Sequence, residues 1–233
     1  MRLRRKPWID EAIKDYSDFL HLESCESYKG KWRSLFKNPD APLWVELGTG
    51  KGNFISQMAQ IHKDVNFIGI EIQVGVLYYA GKKCAAAEVD NVQLLRFDVA
   101  RLEDIFAPGE VDRFFINFCD PWPSKRHAKR RLTHGNFLKL YRQVLKMGGQ
   151  IHFKTDNQPL FEFSVEELPQ FGFELSEVTR NLHENGPVGV MTDYEAKFHE
   201  LGQPINRCVG TMVDWEEPEV PEDAEPAEET VEE

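Results

Sequence analysis

Residues 43–54 read LWVELGTGKGNF. An apolar run holding a single acid, Glu46, ends in three glycines at alternate positions, Gly48, Gly50 and Gly52. Phe54, Ile55, Met58 and Ile61 then recur at helical spacing. A strand, a tight turn and an amphipathic helix in that order open an α/β fold. Glycines let the backbone turn sharply and approach a ligand, and the following helix offers free N–H groups. Asn53 stands where a dinucleotide fingerprint, G-x-G-x-x-G, places its last glycine, and Lys51 is followed by Gly52 where a phosphate-binding P-loop needs Ser or Thr. Glu46 beside the turn disfavours a pyrophosphate and suits a cationic amino-acid group. A plain tight turn is the competing reading.

The alternation continues along the chain. FIGIEI (67–72), VQLLRF (92–97), RFFINF (113–118), QIHFKT (150–155), FGFELSEVT (171–179) and PINRCVGTMV (204–213) read as strands. A Tyr/Ala-rich stretch to Glu88, a stripe of Phe137, Leu138, Tyr141, Val144 and Leu145, and a segment near 158–168 read as helices. For the second, Thr133 is the expected N-cap and Gly148-Gly149 the stop. Continuous apolar strands alternating with helices predict a mostly parallel sheet covered on both faces, with ligands at the carboxyl ends of the strands. Glu71 follows the second strand, placed to accept both hydroxyls of a ribose. Asp98 follows the third, suited to an adenine amino group or to capping a helix. Three acids at successive strand ends, behind the glycine turn, point to adenosine carrying a cationic amino-acid arm. That ligand is S-adenosylmethionine, with S-adenosylhomocysteine as its product.

The bulk numbers set the limits. The 233 residues give room for one α/β domain with a substantial core. The net charge of -11 comes from the end of the chain. Asp214–Glu233 carries 11 acids and no base, which leaves 28 Lys+Arg against 28 Asp+Glu in the rest. Residues 1–213 are thus a neutral body, made of a basic, partly helical lead-in (1–40) and a main domain (41–213), and an acidic tail (214–233) follows. The tail is too polar to offset its own ordering entropy, and is read as disordered. It is either a solvated extension or a nucleic-acid mimic. Cys25, Cys84, Cys119 and Cys208 are scattered without metal spacing, which fits reduced thiols in a cytoplasm, and no metal is expected. Arg2, Arg4, Arg5 and Lys6 precede no apolar segment, and no stretch approaches membrane-spanning length.

Residues 117–131, NFCDPWPSKRHAKRR, close a strand with one aspartate, Asp120, and follow it with a tryptophan between two prolines and five Lys/Arg. Lys125, Arg126, Lys129, Arg130 and Arg131 have no interleaved acids and read as a clamp on nucleic-acid phosphates. Trp122 either stacks on a base or wedges its loop against the core. The run through Leu132-Thr133 resembles the signature of bacterial tRNA (guanine-N7)-methyltransferases. ELGTGKG, GIEI, FKTDN (153–157) and MTDYEAKF (191–198) extend the resemblance over most of residues 40–213.

The resemblance implies a Rossmann-like class I methyltransferase fold, a seven-stranded, mostly parallel sheet with helices on both faces and its last strand antiparallel. It implies methylation of N7 of the variable-loop guanine of tRNA, by an enzyme with no obligate protein partner, monomeric or homodimeric. Asp120 is the expected catalytic residue, acting on the guanine or contacting the cofactor; both roles stay open. Glu46, Gly48, Gly50, Glu71 and Asp98 are the expected cofactor ligands. The resemblance adds Asp156, Thr192, Asp193, Tyr194 and Glu195 as substrate contacts. In purely structural terms Asp156 is an N-cap, and Thr192 with Glu195 a capping box. Many relatives carry lysine where this chain has Ser124, and no binding role is assigned to that serine. A methyltransferase acting on another RNA, or a tRNA-binding protein without catalysis, are the rival readings.

Overall fold

The structure, a computed structural model, describes residues 6–218. Arg2, Arg4 and Arg5 and all but the first few residues of the acidic tail lie outside that range. Eight strands form a single sheet: β1 (Leu20–His21), β2 (Leu43–Leu47), β3 (Asn66–Ile70), β4 (Val92–Leu95), β5 (Val111–Asn117), β6 (Leu145–Thr155), β7 (Phe173–Thr179) and β8 (Asn206–Met212). Their spatial order is β1-β4-β3-β2-β5-β6-β8-β7, with β8 alone running antiparallel to its neighbours. The expected seven strands are all present. The eighth, β1, is two residues long, too short to leave a sequence pattern, and it pairs Leu20 with Leu94 at the sheet edge.

Helices α1 (Ile9–Ala12), α2 (Asn53–Ile61), α3 (Val74–Ala86), α4 (Leu102–Ile105), α5 (Gly135–Val144), α6 (Gln158–Gln170) and α7 (Asp193–Glu200) complete the chain order. Two apolar clusters sandwich the sheet. One packs α4, α5 and α6 side chains such as Ile105, Tyr141 and Phe161 on one face, and the other packs Ile55, Ala59 and Leu77 of α2 and α3 on the opposite face. All of β3 and β4 is buried, which is why both read as unbroken apolar runs. Helix α2 lies close against α3 because Gly52 has no side chain. A Cβ there would sit 2.7 Å from Ala80 Cα, and its φ of 76° is one that glycine adopts freely.

The lead-in is part of the core. Trp32 is fully buried, its Nε1 donating to the Ile105 carbonyl at 2.7 Å. Arg33 pairs with Asp112 at 2.6 Å, and Glu110 accepts from the Gly30 and Trp32 backbone. At the other end, Trp215 stacks beside Phe171 and Lys139 pairs with Glu217, so the first tail residues are anchored. The boundaries of α5 differ from expectation. His134, not Thr133, caps it through Nδ1, while Thr133 is buried and accepts a hydrogen bond from Ser164. The chain passes from Val144 straight into β6, and Gly148-Gly149 sits in an irregularity of that strand.

Because Trp32 fills the core from a segment that looks peripheral in sequence, Trp32→Ala should cost about 3–5 kcal/mol, the usual range for removing a buried aromatic. Urea unfolding measures it. A loss under about 1 kcal/mol would return residues 6–40 to the status of an appendage.

Candidate active site

The strand order reverses between β2 and β5, which are paired in parallel, and a sheet of this kind opens a crevice at that switch point. A cleft of about 590 Å³ lies there. It is lined by Glu46 in β2, Gly48 and Gly50 after it, Glu71 after β3, Asp120 after β5, Asp156 after β6, and Thr192, Asp193 and Tyr194 at the start of α7. Nine of the residues singled out in sequence thus converge on one cavity.

Glu46 is buried. Thr49 Oγ1 donates to its Oε2 at 2.6 Å and Asn117 Nδ2 to its Oε1 at 3.1 Å. Burial pushes its carboxyl up to about 7, against the pull of those two hydrogen bonds and of the Lys154 charge. Asn117 is only 8% exposed, and its Oδ1 has no partner among the described residues. A raised carboxyl beside an orphaned acceptor is a site for a cationic N–H donor, and the α-ammonium of S-adenosylmethionine fits it. Glu71 is raised by burial and by the nearby Asp120 charge, opposed by backbone N–H groups of Gln73, Gly50 and Ile72. Its remaining acceptor capacity faces the cleft, as ribose hydroxyls require. Asp98 is not in the cleft. It caps a short 3₁₀ turn by accepting from Ala100 N and lines a separate hollow of about 230 Å³ with Ile72 and Phe97.

Asp120 is exposed, and no protein group hydrogen-bonds to it among the described residues. Left-handed backbone at two non-glycine residues brackets it, Phe118 at φ 53° and Trp122 at φ 41°. Such conformations cost of order 1–3 kcal/mol each and persist where surrounding structure enforces them. Beyond Asp120, the 3₁₀ helix Lys125–Arg130 leaves Lys125, Arg126, Lys129 and Arg130 exposed and without a carboxylate partner among the described residues. Arg131 turns inward, donating to the Pro121 and Trp122 carbonyls and lying over Phe163. The Trp122 ring is taken up by Arg130 at 4.8 Å and by the edge of His127, so it braces the basic segment.

At α7 the capping box is formed: Thr192 accepts from Glu195 N and Glu195 from Thr192 N. Glu195 is wholly buried. Lys154 donates to its Oε2 at 2.6 Å, and His183 Nε2 lies 3.0 Å from its Oε1. His183 Nδ1 accepts from Val188 N. With three donors on its two oxygens and no exposed surface, Glu195 has no face for a substrate and instead positions α7. Asp193 is exposed and paired with Lys83 at 3.1 Å; Tyr194 is 65% exposed. Asp156 is exposed, and its neighbour Asn157 caps α6. Sequence reading missed Thr49, Asn117, Lys154 and His183, as well as Phe118 and Phe198, which stack between the cleft wall and Tyr194. Thr49, Asn117 and Lys154 stand inside the motifs already quoted, beside the acids they serve.

A family model described as "Putative methyltransferase" matches residues 40–208. The tRNA (guanine-N(7)-)-methyltransferase of Bacillus subtilis is 48% identical over 92% of this chain and 99% of its own length. Its counterpart in Streptococcus thermophilus is 47% identical over 92% and 100%. The chain belongs to the tRNA (guanine-N(7)-)-methyltransferase family. Solved structures similar to it include the 16S rRNA methyltransferase KamB, at TM-score 0.59 and 15% identity over 78% of this chain and 91% of that one. A SAM dependent methyltransferase from Aquifex aeolicus matches at TM-score 0.52 and 14% identity over 88% and 89%. These likenesses establish the class I methyltransferase fold.

Two outcomes follow from the buried carboxylates. Glu195→Ala leaves Lys154 buried and unpaired and should cost about 3–5 kcal/mol, whereas pairing Glu195→Leu with Lys154→Met should recover most of that loss in the same urea melts. Equal losses in both variants would remove the ion pair from the account. Glu46 has its folded value raised above the ordinary 4.5 to about 7. Its contribution to the ligand-free protein is therefore full below pH 4.5 and is lost as pH rises through 7. A cationic ligand stabilises the ionised form, so S-adenosylmethionine binding near pH 6.5 should release a proton, and Glu46→Gln should abolish the release. Calorimetry in buffers of different ionisation heat reads it; a buffer-independent heat for the wild type would contradict the assignment.

Proposed function

We propose that this protein transfers the methyl group of S-adenosylmethionine to N7 of the variable-loop guanine, nucleotide 46, of tRNA. The observation that carries the reading is the unpaired Asp120 carboxylate at the switch point, beside a cleft suited to a cationic amino-acid ligand and a basic segment free of acids. Bound there, the cofactor supplies an electrophilic methyl on a sulfonium.

Guanine N7 has an in-plane lone pair and no proton and faces the major-groove edge, so no general base is needed. Methylation puts positive charge on the purine, and Asp120, with no protein donor to satisfy it, stabilises that charge where it develops. Glu46, with Asn117 and Thr49 behind it, holds the ammonium and Glu71 the ribose, which fixes the methyl for in-line attack. Lys125, Arg126, Lys129 and Arg130 hold backbone phosphates and position the RNA without reading its sequence. Tyr194, Asp193, Thr192 and Asp156 contact the nucleotide from the facing wall. Residues 6–40, packed on the 41–213 domain through Trp32 and Arg33, act with it as one body. We place the enzyme in the cytoplasm, acting without an obligate protein partner. Reduced thiols at all four cysteines and a tRNA substrate support that placement, and no helix among the described residues is long and apolar enough to cross a membrane.

Methyl transfer from labelled S-adenosylmethionine to unmodified tRNA, beside a transcript with adenine at the variable-loop position, tests the whole reading. Label should appear only on the guanine transcript, and Asp120→Asn should lower kcat about 100-fold with cofactor affinity kept. Label on both transcripts would discard the target, and loss of cofactor binding in the variant would move Asp120 into the cofactor site. Arg126, Lys129 and Arg130 replaced together should flatten the salt dependence of tRNA binding.

A further inference from the structure

On the α2 face of the sheet lies a groove of about 680 Å³ that the methyl-transfer reading does not use. It adjoins the cleft at Asn53, Phe54 and Asn117 and runs down across β2, β5, β6 and β8 to Ile61 and His62. Helix α2 forms one wall, and the loop through Leu182–Met191 with Ala196 of α7 forms the other.

Its charges are of one sign. Arg113, Lys154 and Arg207 line it, and no Asp or Glu does among the described residues. Lys154 is neutralised by Glu195 and Arg207 by Glu177 at 2.5 Å. Arg113 is not neutralised in this way. It lies over the Trp44 ring, 4.0 Å from the centroid, half-buried, and donates to no protein oxygen among the described residues. Stacking satisfies one face of a guanidinium and leaves its in-plane fork of N–H donors unused. A desolvated arginine without an acceptor is costly, and the missing partner is an oxyanion accepted by two parallel N–H bonds. Burial and repulsion from Arg207 both lower the Arg113 pKa, opposed by Glu177 and Asp112, and a bound anion relieves both strains. His152 is pushed down to about 3 by burial and by Arg113, so it stays neutral and adds no charge. Above the cation the walls are apolar: Met58 and the exposed Ile61 and Val188. An anion joined to a flat ring whose faces pack on apolar side chains fits this arrangement.

We propose that the groove binds a nucleoside monophosphate unit, its phosphate on the Arg113 fork and its base between the Met58–Ile61 wall and Val188. The same chemistry is offered by a free mononucleotide and by an unpaired nucleotide of bound RNA. Only the RNA source rests on the tRNA reading above.

The probe is uridine monophosphate, which has no N7 to accept a methyl and no adenosine to enter the cofactor cleft. It is titrated against the full chain with saturating S-adenosylhomocysteine, beside uridine and beside the Arg113→Met and Arg113→Lys variants. Arg113→Met keeps an unbranched side chain over Trp44, and its unfolding midpoint is checked in parallel. The expected result is binding of the monophosphate but not of uridine, weakened at least about tenfold by Arg113→Met and less by Arg113→Lys. If Arg113→Met also weakens tRNA binding and the monophosphate competes with tRNA, the occupant is a nucleotide of the RNA. Unchanged tRNA affinity assigns a free mononucleotide. Equal binding by the two variants and the wild type, or no binding in the presence of S-adenosylhomocysteine, overturns the proposal. So does a dimer that dissociates on Arg113→Met in sedimentation, which gives the groove to a second copy. Because these titrations need no methyl transfer, they stand or fall separately from the activity.

Discussion

The ammonium of Lys154, buried at the carboxyl edge of β6, sets the form of the site. It donates to Glu195 at 2.6 Å and to the Val190 carbonyl, and its field reaches Glu46. Through Glu195 it fixes the start of α7 and, with His183, the loop that precedes it. It also favours the ionised form of Glu46, the carboxylate proposed to receive the cofactor. A buried ion pair adds little net stability, since desolvation offsets most of the attraction. It does impose geometry, because neither charge tolerates separation from the other. Thr192, Asp193 and Tyr194 therefore reach the cleft from a helix that is locked in place from beneath.

The opposite wall is held by different means. Phe118 and Trp122 occupy left-handed backbone on either side of Asp120, and the surroundings enforce them. Phe118 N bonds to the Lys154 carbonyl, and Arg131 clasps the Pro121 and Trp122 carbonyls. Asp120 is left exposed with no internal donor. Arg131 is thus spent on shaping the loop, while its neighbours on the same turn remain free for phosphate. One cation of the five serves folding so that the other four are presented together.

The fold was legible because its central strands are buried on both faces and so appear as apolar runs, LWVEL and FIGIEI above all. The two-residue β1 has no periodicity to detect, and Trp32 lies in a polar segment whose burial depends on contacts with Glu110 and Asp112, some eighty residues away. At the site, acids at strand ends were legible because topology alone brings strand ends together. Asp98 followed the same rule yet caps its own turn, since a short acid next to free backbone N–H groups is satisfied locally first. Glu195 shows the reverse. The T-x-x-E spacing correctly announces a capping box, but the partners that bury it, Lys154 and His183, come from other parts of the chain and leave no local signal. Arg113 and Trp44 sit in different strands, and only the parallel β2–β5 register, which pairs these two residues directly, stacks one on the other.

The charge layout also answers why so acidic a cleft lies in a protein built to hold RNA. Glu46, Glu71, Asp120, Asp156 and Asp193 all face one cavity, and together they repel phosphate. Apart from Lys51, the cations stand outside, on the turn after Asp120. In the proposed reading a polyanion is held at that rim while the uncharged base enters. In the proposed reaction one positive charge moves from sulfur to purine without leaving the cavity. The carboxylates near the cofactor serve it before the transfer and, less directly, after, so most of their effect is spent on binding and little on rate. Rate enhancement has to come from a carboxylate close to where the charge arrives and remote from where it departs. Asp120, carried by β5 and held out on strained backbone toward the basic rim, occupies that position.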